Sequence, residues 1–204
     1  MDEKGMLFVV SGLSGAGKGT LCNLMLERLE NLYLSVSATT RRPRQGEIHG
    51  VNYFFTDIEE FKQNIHRDEY LEWAKVYNNF YGTPVSSVMQ NLNTGKDVIL
   101  EIDIQGAMQI KERIPNGIFI FILPPDLKEQ KKRILLRGGD KGDSVKLRLR
   151  CAKDEIRAAL KYDYIIVNQV LSDAAKKLES IIIAERCRTH RNSKLIIDEE
   201  NILA

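Results

Sequence analysis

The sequence predicts an α/β fold, a parallel sheet with helices on both faces. Three observations carry this expectation. Short apolar runs alternate with helical patterns along most of the 204 residues. The runs are continuous, as in strands buried on both faces. The first of them leads straight into a glycine-rich turn, Gly12 to Thr20, which opens a helix. Alternation of this kind implies parallel strands joined by right-handed crossovers.

The elements follow in order. A strand is expected at Leu7–Val10, and a helix over 20–30 with Leu21, Leu24, Met25 and Leu29 on one face. Further strands are expected at Tyr33–Val36, Val98–Ile102, Phe119–Leu123 and Tyr164–Val167. Further helical patterns lie at 57–67, 84–93, 104–113, 126–136, 144–160 and 172–189. Two segments interrupt the alternation. Residues 37–83 are rich in Arg, Gly, Thr, Tyr and Phe, lack a long buried strand, and read as an inserted subdomain. Residues 137–148 are polar and glycine-rich and read as a lid. The core is then 1–36, 84–136 and 149–204 within one domain. Two such insertions on one core suggest a site that closes over two substrates.

Composition bounds the class. Hydrophobic residues make up 43% and charged residues 28%, ordinary for a globular protein with one core. A net charge of +2 decides nothing by itself about a nucleic-acid partner, and none is expected. No apolar run reaches the ~18 residues of a membrane span, so no membrane partner is expected. The polar Met1–Gly5 start does not read as a secretory signal. Cys22, Cys151 and Cys187 are odd in number, widely spaced and without a Cys-x-x-Cys pair. They fit a reducing cytoplasmic setting and no zinc site. His49, His66 and His190 lack metal-ligand spacing and read as surface or structural residues.

Gly12 to Thr20, GLSGAGKGT, reads as a phosphate-binding loop. Glycines let the backbone curl so that successive N–H groups face phosphate oxygens. The helix that follows adds its positive end. Ser14, Gly15, Ala16, Gly17, Lys18, Gly19 and Thr20 are the candidate triphosphate contacts, with Lys18 supplying a full charge. The usual pattern has Ser or Thr directly after the lysine. Here Gly19 stands there and Thr20 comes one residue late.

A second anion site is expected around SVSATTRRPRQGEIHGVNYFF, residues 35–55. Arg41 and Arg44 have planar forks suited to bidentate phosphate contact. Tyr53 adds a neutral hydroxyl donor. Ser37 and Thr39 are small polar groups able to face a base or a phosphate, and EWAKVYNNFYGTP contributes Glu72, Tyr81 and Thr83. Farther on, Val98 to Asp103 is an apolar strand ending in alternating acids, Glu101 and Asp103. Period two puts them on one face, at the carboxyl end where parallel sheets bind ligands.

Taken together, GLSGAGKGT, the 35–55 segment, EWAKVYNNFYGTP, EIDIQGA and YDYIIVN resemble the guanylate kinases over residues 6 to about 188. The resemblance implies a phosphate-binding-loop sheet flanked by helices, a GMP-binding insertion and a lid. It implies ATP-dependent phosphorylation of GMP, and of dGMP, by direct in-line transfer. By the same resemblance Arg41, Arg44, Tyr53 and Tyr81 hold the GMP phosphate, and Ser37, Glu72, Thr83 and Asp103 read guanine. Arg137 and Arg148 reach ATP and the transferring phosphoryl, so the catalytic set is Lys18, Arg41, Arg137 and Arg148. Asn168 lies beside the adenine. Mg²⁺ is the implied cofactor, held mainly by ATP and water with Glu101 in its outer shell. GMP and ATP are the implied small-molecule partners, whether the protein is a monomer or a homo-oligomer. The lid departs from the family pattern: Gly139 and Gly142 occur where Thr and an acid are frequent, and Leu147 replaces one of two adjacent arginines. That departure bears most on Arg133. Two rival readings are a guanylate-kinase-like module that binds protein, and a kinase for another nucleoside monophosphate.

Overall fold

The computed structural model describes residues 4–76, 78–126, 128–130 and 155–193. In chain order the elements are β1 (Leu7–Gly12), α1 (Lys18–Arg28), β2 (Leu32–Leu34), β3 (Ala38–Thr39), β4 (Phe54–Phe55) and α2 (Ile58–His66). Then come β5 (Tyr70–Val76), β6 (Asn79–Pro84), α3 (Val85–Asn93), β7 (Asp97–Glu101), α4 (Ile104–Arg113) and β8 (Ile118–Leu123). The 3-10 turn Ala159–Lys161, β9 (Tyr164–Val167) and α5 (Leu171–Arg186) follow. The expected lid 137–148, with Arg133, Arg137 and Arg148, lies outside the described residues. So does most of the expected helices 126–136 and 144–160, of which 128–130 and 155–158 are described and helical.

The main sheet has the order β2-β7-β1-β8-β9, and every neighbouring pair is parallel. Its central strands are apolar on both faces because both are covered. Phe8, Val9, Val10, Ile99, Leu100, Phe119, Ile120, Phe121 and Ile122 have no solvent exposure. Truncating one of these phenylalanines to alanine is worth about 3–5 kcal/mol of lost burial and cavity. Leu21, Cys22 and Met25 of α1 and Ala174, Ala175, Leu178 and Ile182 of α5 belong to the same core, and Arg28 and Glu179 pair at its edge. Ala107 and Ile110 of α4 and Val88 and Leu92 of α3 also belong to it.

A second, mixed sheet has the order β4-β3-β6-β5. This corrects the expectation that 37–83 lacks a long buried strand: β5 is seven residues long and mostly buried. Its sequence, YLEWAKV, does not read as a continuous apolar run because polar residues are set among its apolar ones. The sheet has a small core of its own, in which Phe61 stacks on Tyr70 at 4.5 Å and on Phe80 at 5.5 Å. Asp57 caps α2 by accepting the Glu60 N–H.

Other boundaries moved by one to three residues. The strand expected at Tyr33–Val36 is Leu32–Leu34, because the chain leaves the sheet edge there to enter β3. The helix expected over 20–30 begins at Lys18, directly after Gly17, and ends where Leu29 turns extended. The helix expected over 172–189 runs Leu171–Arg186, and a short helical stretch follows at 189–193. Helix 104–113 agrees with its expected span. Among the described residues no helix is long and apolar enough to cross a membrane.

Candidate active site

The phosphate loop connects the central strand β1 to α1, at the carboxyl end of the sheet. Gly17 is the residue before the helix and has φ +87°, a left-handed conformation open chiefly to glycine. Lys18, Gly19 and Thr20 therefore form the first helical turn, where backbone N–H groups have no intrahelical partner. The Lys18 ammonium bends back over the loop, donating to the Gly12 carbonyl at 2.8 Å and the Leu13 carbonyl at 3.3 Å. Side chains from distant segments hold the loop. The Gln130 amide donates to the Ser14 carbonyl at 3.2 Å, and the Asn168 amide donates to the Ala16 carbonyl at 2.8 Å. A Cβ at Gly17 would stand 2.5 Å from that Asn168 nitrogen. Asn168 is buried and touches the loop backbone.

At Gly19, the departure from the usual loop pattern, the neighbour is the end of a flexible side chain. A Cβ there would meet the Glu101 carboxylate at 3.0 Å. Glu101 ends β7, the neighbour of β1, so its carboxylate reaches the first turn of α1. Thr20 is exposed.

Beside the loop a cavity of about 320 Å³ is lined by Lys18, Ser37, Arg41, Arg44, Glu47, Tyr53, Glu72, Tyr81, Glu101 and Asp103, among others. Glu101 comes from the main sheet, Glu72 and Tyr81 from the small one, Lys18 from α1 and the rest of those named from connecting segments. A larger hollow, about 790 Å³, lies elsewhere on the small sheet and holds none of the loop or arginine residues.

One end of the cavity is aromatic and basic. The Arg41 guanidinium lies 5.3 Å from the Tyr53 ring centre and 5.9 Å from that of Phe55. Tyr53 and Tyr81 meet edge to face at 6.0 Å. Burial first, then the Glu101 carboxylate, raises the Tyr53 phenol, which keeps it a neutral donor. Arg44 is exposed.

The other end is acidic and buried. Glu72 on β5 pairs across the hairpin with Thr83 on β6, and the Thr83 hydroxyl donates to its carboxylate at 2.6 Å. Glu72 is 4% exposed and Thr83 is 0% exposed. Thr83 thus reaches the cavity through Glu72 rather than by lining it. Burial pushes the Glu72 carboxyl up to about 7, with the nearby Asp103 adding to the rise and the Thr83 hydroxyl opposing it. Glycine at position 106 leaves room for Glu72 as it sits: a Cβ there would lie 2.2 Å from its second oxygen. Asp103 caps α4 by accepting the Gly106 N–H at 2.8 Å and also faces the cavity. Its carboxyl is raised too, chiefly by burial.

The candidates Lys18, Ser37, Arg41, Arg44, Tyr53, Glu72, Tyr81, Glu101 and Asp103 thus line one cavity, with Thr83 behind Glu72. Arg137 and Arg148 lie outside the described residues. Sequence reasoning missed Gln130, Gly106 and Glu47. Glu47 had a usable signal, an acid three residues after Arg44 and directly after a glycine. Of the histidines, His49 accepts the Phe55 N–H, a structural role. Among the described residues no cluster of three or more His, Cys, Asp or Glu side chains could hold a metal ion.

Comparison with known proteins fits this geometry. The family model described as guanylate kinase matches residues 4–185. A guanylate kinase of Clostridium perfringens is 51% identical over 199 residues, covering 98% of this chain and 92% of its own. One from Caldanaerobacter subterraneus subsp. tengcongensis is 50% identical over 204 residues, covering 99% of each chain. The crystal structure of guanylate kinase from Anaplasma phagocytophilum superposes with a TM-score of 0.78 at 35% identity, covering 93% of this chain and 90% of its own. With relatives of this closeness along nearly its whole length, the chain belongs to the guanylate kinase family.

Proposed function

We propose that this cavity carries out the reaction of the family, ATP-dependent phosphorylation of GMP to GDP, with the residues divided between phosphate and base as follows. A GMP phosphate oxygen attacks the γ-phosphorus of ATP in line, the new P–O bond forming as the bond to the β-phosphate oxygen breaks. No covalent enzyme intermediate is needed. Catalysis is then positioning and charge neutralisation. Arg41, Arg44, Tyr53 and Tyr81 bind the acceptor phosphate. The backbone of Ser14 to Thr20 cradles the donor phosphates, Lys18 neutralises charge as it develops, and Asn168 and Gln130 keep the loop in shape. Arg137 and Arg148 are proposed to complete the donor side, from a lid at 137–148.

Guanine is read by Glu72, Asp103 and Ser37, with Thr83 orienting Glu72. Guanine offers N1–H and its 2-amino group along one edge, and one ionised carboxylate accepts both. Adenine offers neither and leaves a buried acceptor unpaired, which costs ~1–3 kcal/mol or more. The observation that carries this reading is the Glu72–Thr83 pair buried on the same cavity as Arg41 and Lys18. None of these residues is assigned to the 2′-hydroxyl of the sugar, so dGMP is proposed as a second acceptor.

Magnesium fits as an ion carried by ATP and water. The donor set supplies one nearby carboxylate, Glu101, against the first turn of α1, and no multidentate cage among the described residues. When bound, the ion would offset phosphate charge. Reaction in a reducing cytoplasm accords with free thiols at Cys22 and Cys187. The test is a substrate panel with purified protein and ATP. GMP and dGMP should turn over, and AMP, CMP and UMP should not. A clear AMP preference overturns the base assignment.

A further inference from the structure

We infer that Glu47 is a positioning residue for the acceptor phosphate, holding Arg41 by one edge of its guanidinium so that the opposite edge is presented to the substrate. This rests on the proposed GMP site. Arg44 to Glu47 forms a tight turn, closed by the Glu47 N–H donating to the Arg44 carbonyl at 3.1 Å. Gly46, third in the turn, has φ +85°, which a turn of this hand requires. The turn points the Glu47 carboxylate back at the chain before it. One oxygen accepts the Arg44 N–H at 2.7 Å and an Arg41 Nη1–H at 2.9 Å, and the other accepts from Arg41 Nη2 at 2.8 Å. A single carboxylate thus fixes the guanidinium of one arginine and the backbone of the other.

The donor count on Arg41 gives the direction. Guanidinium has five N–H groups. Nη1 donates to Glu47 and to the Arg42 carbonyl at 2.8 Å, and Nη2 donates once to Glu47. The Nε–H and the second Nη2–H form the other bidentate edge, which no carboxylate occupies in the hydrogen bonds described. The ring of Tyr53 lies against the cation, and hydrogen bonding to Glu47 first, with Tyr81 adding less, raises the Arg41 guanidinium. The side chains of both Arg41 and Glu47 are less than a fifth exposed, so the pair is shielded from the screening that weakens surface ion pairs. The same pairing lowers the Glu47 carboxyl. Glu47 therefore stays ionised at neutral pH, and its hold on Arg41 is charge-assisted.

The experiment compares Glu47→Gln and Glu47→Asp with the wild type, measuring GMP and guanosine affinity by calorimetry and steady-state kinetics with ATP. In Glu47→Gln, GMP should weaken by about tenfold to a hundredfold, the loss expected for charge-assisted hydrogen bonds. Guanosine, which has no phosphate, should bind as before, and the ATP KM should not change. Glu47→Asp should recover part of the loss. Tighter GMP binding by Glu47→Gln would make Glu47 a competing anion and overturn the proposal. Equal weakening of GMP and guanosine would make it a general scaffold residue and overturn it as well. Failure of the underlying site reading shows separately, as wild-type protein that does not prefer GMP to guanosine.

Discussion

The phosphate loop and the Glu72 wall face each other across one cavity, and they are built on opposite principles. The loop is local. Nine consecutive residues place a strand end, a left-handed glycine and a helix start in fixed succession, and the backbone supplies most of the chemistry. The Glu72 wall is assembled from afar. Glu72 meets Thr83 across a hairpin, Gly106 leaves room for it from a helix of the main domain, and Asp103 caps that same helix. Local backbone sites recognise what every nucleoside triphosphate shares. Side chains assembled from separate segments recognise what distinguishes one base from another.

Breaking the loop should have the largest effect. Lys18→Ala is expected to lower turnover by roughly 100- to 1000-fold, the scale for losing one transition-state charge contact, while leaving the fold intact. Turnover assays paired with thermal melts check this, and equal turnover would remove Lys18 from the mechanism.

Glu72→Gln sharpens the contrast from the other side. It should weaken GMP by about tenfold or more and ATP little, since an amide cannot accept both guanine donors. If ATP weakens equally, the base-reading role is wrong. The same substitution should affect stability in the opposite direction. With its folded pKa at about 7, the Glu72 carboxyl binds more protons in the native than in the unfolded state between the ordinary carboxyl value and neutrality. Ligand-free stability from this group is thus full at acid pH and falls as pH rises toward and through 7. Glu72→Gln removes that loss and should stabilise the ligand-free protein at pH 8 by up to about 3 kcal/mol. Conversely the wild-type affinity for GMP should rise from pH 6 to 8, as the ionised carboxylate becomes available. Denaturation and calorimetry across that range read both signs.

Gly106→Ala is the smallest and most diagnostic change. Alanine favours a helix by ~1 kcal/mol over glycine, so propensity alone predicts a gain. Its methyl group would lie 2.2 Å from the Glu72 carboxylate and must push it aside. The expected result is a severalfold rise in GMP KM, with the ATP KM and melting temperature nearly unchanged. An unaltered GMP KM would separate Gly106 from base recognition.

The same contrast explains what could be read in advance. The central strands were visible because burial on both faces makes a strand an unbroken apolar run, as in IFIFIL of β8, and the edge strands β2 and β9 kept short apolar runs though partly exposed. The β5–β6 hairpin was not visible as strand, because polar residues interrupt its apolar pattern and its small core uses only a few aromatic residues. Lys18 and the arginine segment could be read from spacing. Gln130 could not, since one glutamine in a charged helical stretch carries no sign of the loop carbonyl it reaches 116 residues away.

The sequence by itself determined the sheet, its phosphate loop and the pair of arginines, because backbone conformation and apolar periodicity are set by neighbours in the chain. Family resemblance supplied the grouping of Glu72, Thr83 and Asp103. Only the tertiary structure decided how that grouping works: which oxygen Thr83 holds, that Gly106 stands against the Glu72 carboxylate, and that Glu47 grips Arg41 by one edge. Those facts depend on distances between segments far apart in the chain, where a single methyl group or carboxylate oxygen either fits or does not.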